Sequence, residues 1–311
     1  MPVTVKTFTT SGEAAAALSS ERDARYLGGG TLVMRALNEG DISISTVVRA
    51  TDRALTHLDV ASSRITIGAG VTFARVLAER ELAFLHPVAG SIGGPAVRNM
   101  GTIGGNLFAP TPFGDFAVAL LALDATVSVQ GGYGARDAPI EEFLAGRDRL
   151  PRALVLSVSC QRPSSADAFR YRKLSRIKPK GGSVVTLAAH LPTSGGRVIG
   201  ARIALGAMAA APVRAKAAER ALEGRVLDAA SVAAAVAAAT EGTSPVNDSL
   251  ASAWYRREVV GVHLRRLLTG QVYESPWPRP PCNFVTMAAM SPCSSMAAPI
   301  CWPPCAMPSA T

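Results

Sequence analysis

The segment that decides the fold is Gly93-Gly94-Pro95-Ala96-Val97-Arg98-Asn99-Met100-Gly101-Thr102-Ile103-Gly104-Gly105-Asn106. Its glycines leave the backbone open to close approach, and consecutive N–H groups over residues 102–106 can form an anion-binding nest. The Thr102 hydroxyl and the Asn106 amide add side-chain donors. A loop with a purely structural role seldom needs such polar side chains among its glycines. The segment therefore predicts a phosphate site.

A second glycine-rich stretch, Leu27-Gly28-Gly29-Gly30-Thr31-Leu32, connects a strand-like run to a helical one. N–H groups at the start of a helix favour a negative ligand, so this stretch is also a candidate phosphate loop. It has neither the lysine of a Walker motif nor the spacing of G-x-G-x-x-G. Taken alone, it fits a tight turn equally well.

Asp115 stands nine residues after Asn106, where a helical pattern begins. One interpretation makes its side chain the N-cap of the helix that starts at Phe116. The other makes it an acceptor for sugar hydroxyls beside the phosphate site, because a carboxylate suits a hydroxyl and repels a phosphate. The two roles are compatible.

The first 160 residues alternate strand-like and helix-like patterns, which is typical of an α/β arrangement. The second half reads as three consecutive strands, near residues 168–173, 183–189 and 198–205, followed by helices over 213–222, 229–239 and 253–268. The break falls near Pro163-Ser164-Ser165. We therefore predict domains at 1–163 and 166–269. The segment 271–311, rich in proline, cysteine and methionine, is predicted to be a disordered tail.

Together these motifs resemble the FAD-binding medium subunit of the molybdenum hydroxylases, the family of carbon monoxide dehydrogenase and xanthine dehydrogenase. The resemblance covers roughly residues 1–268. It rests on the order of the glycine triplet at 28–30, the string V-R-N-M-G-T-I-G-G-N-L at 97–107, Asp115 and the run A-L-L-A-L-D-A at 119–125. It implies an α+β fold: a two-subdomain FAD-binding domain of the vanillyl-alcohol-oxidase (PCMH) type, then a C-terminal domain with a three-stranded sheet and helices.

Carried over by position, the resemblance assigns FAD contacts to individual residues. The pyrophosphate would lie against Gly28, Gly29, Gly30, Thr31 and Leu32. The pyrophosphate and ribityl chain would meet Thr102, Ile103, Gly104, Gly105 and Asn106, and Asp115 would accept a sugar hydroxyl. Apolar contacts would come from Ile92 and Val155, for which an ordinary core position is the alternative.

The strand-like Tyr171-Arg172-Lys173-Leu174 resembles the family segment beside the flavin ring, where a basic residue can stabilise the reduced anionic flavin. Lys173 and Arg172 are both candidates, and solvated strand charges are the alternative. The sequence departs from many relatives after Arg176, where Ile177-Lys178-Pro179-Lys180 stands in place of an acidic residue. We expect this change to alter the surroundings of the flavin.

Composition excludes several classes of protein. The 311 residues are 48% hydrophobic and 18% charged, which excludes a disordered chain. The net charge of +9 is scattered over the sequence without an aromatic-interleaved basic stripe, so nucleic acid is not an expected partner. No apolar run approaches the roughly 18 residues of a membrane span, and no secretory signal opens the chain. We expect a soluble, cytoplasmic protein without a membrane span.

The cysteines separate the body from the tail. Cys160 stands alone in residues 1–270, whereas Cys282, Cys293, Cys301 and Cys305 crowd the last 30 residues in a spacing that does not suit zinc. One cysteine cannot ligate an iron–sulfur cluster, so a redox centre in the body is not thiolate-bound metal. No metal site is predicted.

No general acid–base pair or nucleophile is visible, and the four histidines, His57, His86, His190 and His263, are far apart. This fits a flavoprotein, in which the cofactor performs the redox chemistry. The resemblance implies an oxidoreductase subunit whose FAD takes electrons from a molybdenum-cofactor large subunit through a 2Fe-2S small subunit. It would pass them to an external acceptor such as NAD or a quinone. The alternatives are a stand-alone flavoreductase on the same fold, such as the enolpyruvyl-glucosamine reductase, and a non-catalytic nucleotide-binding module.

Overall fold

The computed structural model describes residues 3–131, 134–147, 153–177 and 181–270. The tail over 271–311 with its four cysteines, and the run Lys178-Pro179-Lys180, lie outside the described residues. The interpretations placed on them stay predictions.

The chain begins with a small parallel sheet in the order β1-β3-β2. Its elements are β1 (Thr4–Phe8), α1 (Ser11–Ser20), β2 (Ala24–Tyr26), α2 (Val33–Asn38) and β3 (Thr46–Ala50). Thr10 and Glu13 form a capping box that starts α1, and the helix buries Ala14 and Leu18 against the sheet. This alternation of strand and helix follows the predicted α/β pattern. The first glycine loop occupies the turn between β2 and α2.

The next five strands form an antiparallel sheet in the order β4-β5-β8-β6-β7. They are β4 (Leu58–Val60), β5 (Arg64–Gly68), β6 (Thr126–Gly131), β7 (Gly134–Pro139) and β8 (Leu154–Gln161). The α/β expectation is wrong for this part, because β4–β5 and β6–β7 are hairpins whose short connections cannot cross over to a parallel partner.

Within the described residues, six helices lie between strands of this sheet along the chain. Five lie between β5 and β6 and the sixth follows β7: α3 (Phe73–Ala78), α4 (His86–Gly90), α5 (Pro95–Met100), α6 (Ile103–Leu107), α7 (Asp115–Ala122) and α8 (Ile140–Gly146). Short 3₁₀ helices cover Arg53–Thr56 and Arg80–Leu85. All eight residues of α7 are buried, as expected for a helix whose residues after Asp115 are all apolar.

The remaining strands form a four-stranded antiparallel sheet in the order β14-β13-β10-β9. These strands are β9 (Phe169–Ser175), β10 (Ser183–His190), β13 (Arg202–Gly206) and β14 (Val213–Arg214), with a hairpin of β11 (Thr193–Ser194) and β12 (Arg197–Val198) outside the sheet. A 3₁₀ turn over Ala166–Ala168 precedes β9. The helices α9 (Lys216–Leu222), α10 (Ala229–Ala237) and α11 (Ala253–Leu268) share a second apolar core with this sheet.

Two details differ from the predicted pattern. The strand expected over 198–205 is split, because Gly200 has a φ of +67° and ends the extended run. The segment predicted as the start of a helix at Val213 first forms β14, which adds a short fourth strand to the predicted three. The helices over 229–239 and 253–268 are confirmed within two residues.

The central helix α7 joins the two parts of the molecule. It packs against α4, α6 and α8 on one side and against β10 and β13 on the other. Ala188 and Ala204 of the C-terminal sheet therefore belong to the same apolar core as Phe116 and Val118 of α7. The start of α7 consequently lies between Asn106 of the second glycine segment and the C-terminal sheet.

Within the described ranges, no helix combines the length and the apolar character needed to cross a membrane. The cytoplasmic location stays a prediction.

Candidate functional site

The first glycine loop presents open backbone donors. The Leu27 N–H group is the last before the loop to bond to the sheet, donating to Val48 O at 2.7 Å. The N–H groups of the next five residues find no acceptor among the described residues: Gly28, Gly29, Gly30, Thr31 and Leu32. Gly28, Thr31 and Leu32 are exposed, and Gly30 has a φ of +73°, which favours glycine. The loop is therefore accessible and has unused donors for an anion.

The two glycine segments lie against each other. A Cβ on Gly29 would stand 1.6 Å from the carbonyl oxygen of Met100, and one on Gly28 would stand 2.8 Å from Thr102 Oγ1. Only residues without a side chain permit this approach. The structure thus brings together the two segments that the sequence singled out, and they form a cradle that any Cβ at position 29 would fill.

The second glycine segment does not form the predicted open nest. Four of its N–H groups donate within the protein: Ile103 to Val71 O at 3.0 Å, Gly104 to Ala69 O at 2.8 Å, Gly105 to Thr102 Oγ1 at 3.2 Å and Asn106 to Thr102 O at 3.0 Å. The prediction of a consecutive free nest is wrong because this segment starts a helix, α6, with Thr102 as its N-cap.

The polar side chains of this segment also have structural roles. Arg98 Nη1 donates to Gly93 O at 2.6 Å and fixes the turn before α5. Asn106 Oδ1 accepts from the backbone N–H groups of Phe116 and Ala117, at 3.0 and 3.2 Å, so that it caps α7. The hydroxyl hydrogen of Thr102 and the Nδ2 group of Asn106 have no acceptor within the described chain. These two side-chain donors remain available to a ligand.

Gly104 and Gly105 differ in their surroundings. Gly104 is buried, and a Cβ there would lie 2.7 Å from the Cβ of Ala69. Gly105 is exposed, and a Cβ there would meet only Thr102 Oγ1, at 3.1 Å. Close packing requires a glycine at position 104. At position 105 a glycine keeps the backbone accessible from outside.

Asp115 is not the N-cap of α7. Gly114 is the N-cap residue, with a φ of +92°, and as a glycine it has no side chain that could accept a hydrogen bond. The capping oxygen is Asn106 Oδ1, which accepts from Phe116 N–H. The N-cap interpretation is therefore wrong. The sequence suggested Asp115 because it is the acidic residue nearest the start of the helix. The side chain that caps the helix instead belongs to Asn106, ten residues before Phe116.

The Asp115 carboxylate instead binds the C-terminal sheet. Oδ2 accepts from Lys173 Nζ at 2.7 Å, and Oδ1 accepts from Ser183 Oγ at 2.6 Å and Thr186 Oγ1 at 2.5 Å. The side chains of Asp115 and Lys173 are only 7% and 9% exposed. Such a charge pair is tolerable in the interior because each group is both paired and hydrogen-bonded. It connects α7 to β9 and β10.

Tyr171 and Lys173 lie on the face of β9 that meets the glycine-loop part of the molecule. Lys173 Nζ also donates to Ser91 O at 3.1 Å. The Ser91 hydroxyl donates to Val88 O, so the Tyr171 hydroxyl donates to Ser91 Oγ across 2.9 Å. Burial, and then the negative charge of Asp115, raise the pKa of Tyr171 well above its usual value, so this phenol stays protonated.

Arg172 lies on the opposite face of β9. Arg172 and Lys173 are successive residues of the strand, so their side chains point to opposite sides of the sheet. Arg170, two residues before Arg172 and on the same face, donates to the carbonyl groups of Leu267 and Leu268 at the end of α11. Partial burial, and then the charge of Arg266, lower the pKa of Arg172. Arg172 and Lys173 therefore cannot act at one site, and the structure separates Arg172 from the other candidates.

The apolar candidates are core residues. Val155 is 2% exposed and Ile103 is fully buried in the main core, while Ile92 packs against that core and is partly accessible. The core interpretation thus fits the side chains of Val155 and Ile103. Ile92 keeps a surface that a ligand can reach.

Sequence reasoning missed an apolar rim around the cradle. Four large apolar side chains flank the glycine loops and are exposed: Leu32 at 37%, Met34 at 44%, Val97 at 39% and Met100 at 57%. They belong to the short segments around α2 and α5. The signal was available, since apolar residues beside glycine-rich turns on short helices have no core to enter. Such a rim suits a flat aromatic ligand better than a bare phosphate.

A family model described as the FAD binding domain in molybdopterin dehydrogenase matches residues 3–160, and a model described as the CO dehydrogenase flavoprotein C-terminal domain matches residues 170–270. The chain belongs to this family of FAD-binding subunits.

Named relatives agree with this family. The carbon monoxide dehydrogenase medium chain of Afipia carboxidovorans is 32% identical over 211 residues, or 65% of this chain and 72% of the relative. Subunit alpha of the 6-hydroxypseudooxynicotine dehydrogenase complex of Paenarthrobacter nicotinovorans is 29% identical over 81% of this chain and 88% of its own length. A carbon monoxide dehydrogenase structure from Hydrogenophaga pseudoflava matches with a TM-score of 0.79 and 25% identity, covering 86% of this chain and 96% of that one.

For a member of this family, the predicted fold class, the FAD cofactor and the assignment to an oxidoreductase subunit are confirmed. The individual FAD contacts stay predictions. The site fits the cofactor, because five unused backbone donors lie where only glycine lets the two segments meet, and exposed apolar side chains flank them.

Proposed function

We propose that this chain is the FAD-carrying electron-transfer subunit of a molybdenum hydroxylase complex. It would pass electrons from iron–sulfur and molybdenum partner chains to an external acceptor. The observation that carries the proposal is the set of five unused N–H groups at residues 28–32, held against the second glycine segment. This arrangement suits the pyrophosphate of a dinucleotide.

The two segments would divide the binding of FAD. The first loop would donate its N–H groups to the pyrophosphate, and Thr102 and Asn106 would add a hydroxyl and an amide hydrogen. The exposed apolar rim would shield the aromatic parts of the cofactor from water. Gly104 and Val155 would contribute through packing beneath the site rather than through direct side-chain contact.

The polar cluster on α7 and β9 would bind the sugar part. Asp115 would accept a sugar hydroxyl at the oxygen that faces Lys173. The Lys173 ammonium is already paired with this carboxylate, so the cluster adds no net charge next to the cofactor. Tyr171 stays neutral because of its raised pKa and would offer its ring rather than a charge.

When bound, FAD supplies reversible uptake and release of electrons, the chemistry for which such proteins carry a cofactor. Cys160 is the only cysteine of residues 1–270, and burial raises the pKa of its thiol to about 12, so it is a poor metal ligand. Electrons would therefore arrive from centres on other chains. The names of the relatives, a medium chain and a subunit of a complex, support partner chains. By the family resemblance, these partners would be a 2Fe-2S small subunit and a molybdenum-cofactor large subunit.

We also propose the division into a domain over 1–163 and a domain over 166–269. The separate family-model matches at 3–160 and 170–270 support it, and so does a second apolar core built from C-terminal residues alone. NAD and quinones are candidate acceptors, and the cytoplasm is the proposed location.

The first experiment is to purify the full chain and record its visible absorbance before and after reconstitution with FAD. We expect the bands of oxidised flavin in a 1:1 complex. The chain is then co-expressed with an iron–sulfur chain and a molybdenum chain encoded beside it, and the copurified iron, molybdenum and flavin are measured. No flavin after reconstitution would overturn the proposal. Flavin with reductase activity but no copurifying metal subunits would point to a stand-alone reductase.

A further inference from the structure

Two hydroxyl groups of β10 bind the same oxygen of Asp115. Ser183 Oγ lies 2.6 Å and Thr186 Oγ1 2.5 Å from Oδ1, and the two residues are 1% and 0% exposed. Hydroxyl groups so deeply buried need a partner, and here both donate to one carboxylate oxygen. Nothing in the family resemblance assigned a role to either residue.

The strand pairing explains why both hydroxyls point at Asp115. Thr186 stands directly opposite Lys173 in the β9–β10 ladder, and cross-strand partners point to the same face. Ser183 reaches that face because the register shifts between Ser183 and Val185. The other residues of β10 from Val184 to Ala189 are apolar. Hydroxyl groups thus occur in this buried strand where it passes the carboxylate.

Counting acceptor positions shows what these bonds leave open. An ionised carboxylate has about four lone-pair sites, two on each oxygen. The two hydroxyls fill both sites of Oδ1, whereas Oδ2 receives one donor, the Lys173 ammonium at 2.7 Å. One site on Oδ2 stays open, and rotation of the carboxylate would break two short hydrogen bonds.

We propose that Ser183 and Thr186 are positioning residues for cofactor binding. By occupying Oδ1 they orient the carboxylate so that Oδ2 accepts one sugar hydroxyl of FAD. The inference rests on the proposed function, since it requires that Asp115 contacts the cofactor. It adds that the C-terminal sheet, through these two hydroxyls, sets the affinity of a site whose phosphate loops belong to the N-terminal part.

The test measures FAD affinity and thermal stability separately on the deflavinated full chain. Thr186→Val keeps the shape of the side chain and removes the donor, and Thr186→Ser restores the donor. We expect FAD binding about tenfold weaker in Thr186→Val, because a hydrogen bond to a charged group is worth about that factor. Thr186→Ser should bind FAD within about twofold of the wild type.

Ser231→Ala is the matched control. Ser231 is 2% exposed and its hydroxyl donates to Val226 O at 2.8 Å in α10, away from Asp115. This variant should lower the midpoint of thermal unfolding without changing the dissociation constant for FAD. Ser183→Ala provides a second, smaller deletion should Thr186→Val fail to fold.

The outcomes are distinguishable. Wild-type affinity in the hydroxyl deletions, or an affinity loss that Ser231→Ala reproduces in proportion to its lost stability, overturns the positioning role. A wild-type chain that binds no FAD overturns the proposed function itself, before any variant is compared.

Discussion

The two glycine segments look alike in sequence but behave differently in the structure. The segment at 28–32 is exposed at Gly28, Thr31 and Leu32, and its five N–H groups have no acceptor among the described residues. In the segment at 102–106, four N–H groups already donate within the protein. The longer and more specific motif is thus the one with fewer free donors.

The difference shows that a glycine-rich motif can support a binding site through packing and helix capping, without presenting its own backbone donors to the ligand. In the second segment, Gly104 packs on Ala69 and Asn106 caps α7. This segment is therefore part of the packed structure that the first loop contacts. In the first loop, by contrast, the glycines keep the backbone accessible. Variants at exposed glycines should therefore affect binding first, and variants at glycines packed against other residues should affect stability first.

The largest effect is expected where the segments touch. In Gly29→Ala the new Cβ would overlap the Met100 carbonyl, which is 1.6 Å away and belongs to the backbone, so the two segments must separate. We expect a loss of about 3 kcal/mol or more in the free energy of unfolding, as for severe overpacking, together with loss of FAD binding. Urea unfolding of the apoprotein and FAD titration measure the two effects.

Gly12→Ala is the control for this variant. A Cβ at Gly12 in α1 meets nothing within 4 Å, so this change should preserve or raise stability, by up to about 1 kcal/mol. Normal stability and flavin content in Gly29→Ala would mean that the contact between the segments is misplaced.

Gly104→Ala should separate packing from binding. Its Cβ would lie 2.7 Å from the Cβ of buried Ala69, and relieving this contact costs about 1–3 kcal/mol of unfolding free energy. Because the residue is buried beneath the cradle, the folded fraction should bind FAD with nearly normal affinity. A tenfold loss of affinity at unchanged stability would place Gly104 in direct contact with the ligand and would break the comparison.

Asn106 belongs to both roles, and two substitutions divide them. Asn106→Ala removes the acceptor that caps α7 and should cost about 1 kcal/mol. Asn106→Asp keeps an acceptor at the positive end of the helix, so stability should be retained, but it removes the Nδ2 donor and adds a negative charge. FAD affinity should then fall by at least about tenfold. Unchanged affinity in Asn106→Asp would limit this residue to capping.

Much of the fold followed from local pattern. The bounds of α11 and the starts of β9 and β10 were predictable, because apolar periodicity is a property of short stretches. The contact between the two glycine segments was not, since they lie about 70 residues apart in the sequence. The division of roles at the start of α7 was not predictable either. Whether Asn106 or Asp115 caps that helix depends on how the chain turns over residues 108–114, and no local pattern determines this.

Two other features were within reach of the sequence. Arg172 and Lys173 are neighbours on a strand, so the period of two already excludes a shared site. The hydroxyls of Ser183 and Thr186 interrupt an otherwise apolar strand, which signals a buried polar partner, but the identity of that partner required the packing of α7 on β10.

The smallest change tests the comparison most closely, because Gly105 is the exposed exception within the second segment. In Gly105→Ala the helix gains about 1 kcal/mol of intrinsic propensity. The new Cβ presses only on the Thr102 hydroxyl, at 3.1 Å, which offsets part of the gain. Stability should therefore stay within about 1 kcal/mol of the wild type. FAD affinity should fall severalfold, since an added methyl group at an exposed glycine keeps the ligand from the backbone. Urea unfolding and FAD titration on the same apoprotein test this prediction. A loss of stability with normal affinity would give Gly105 a packing role like that of Gly104. The first loop alone would then bind the phosphates.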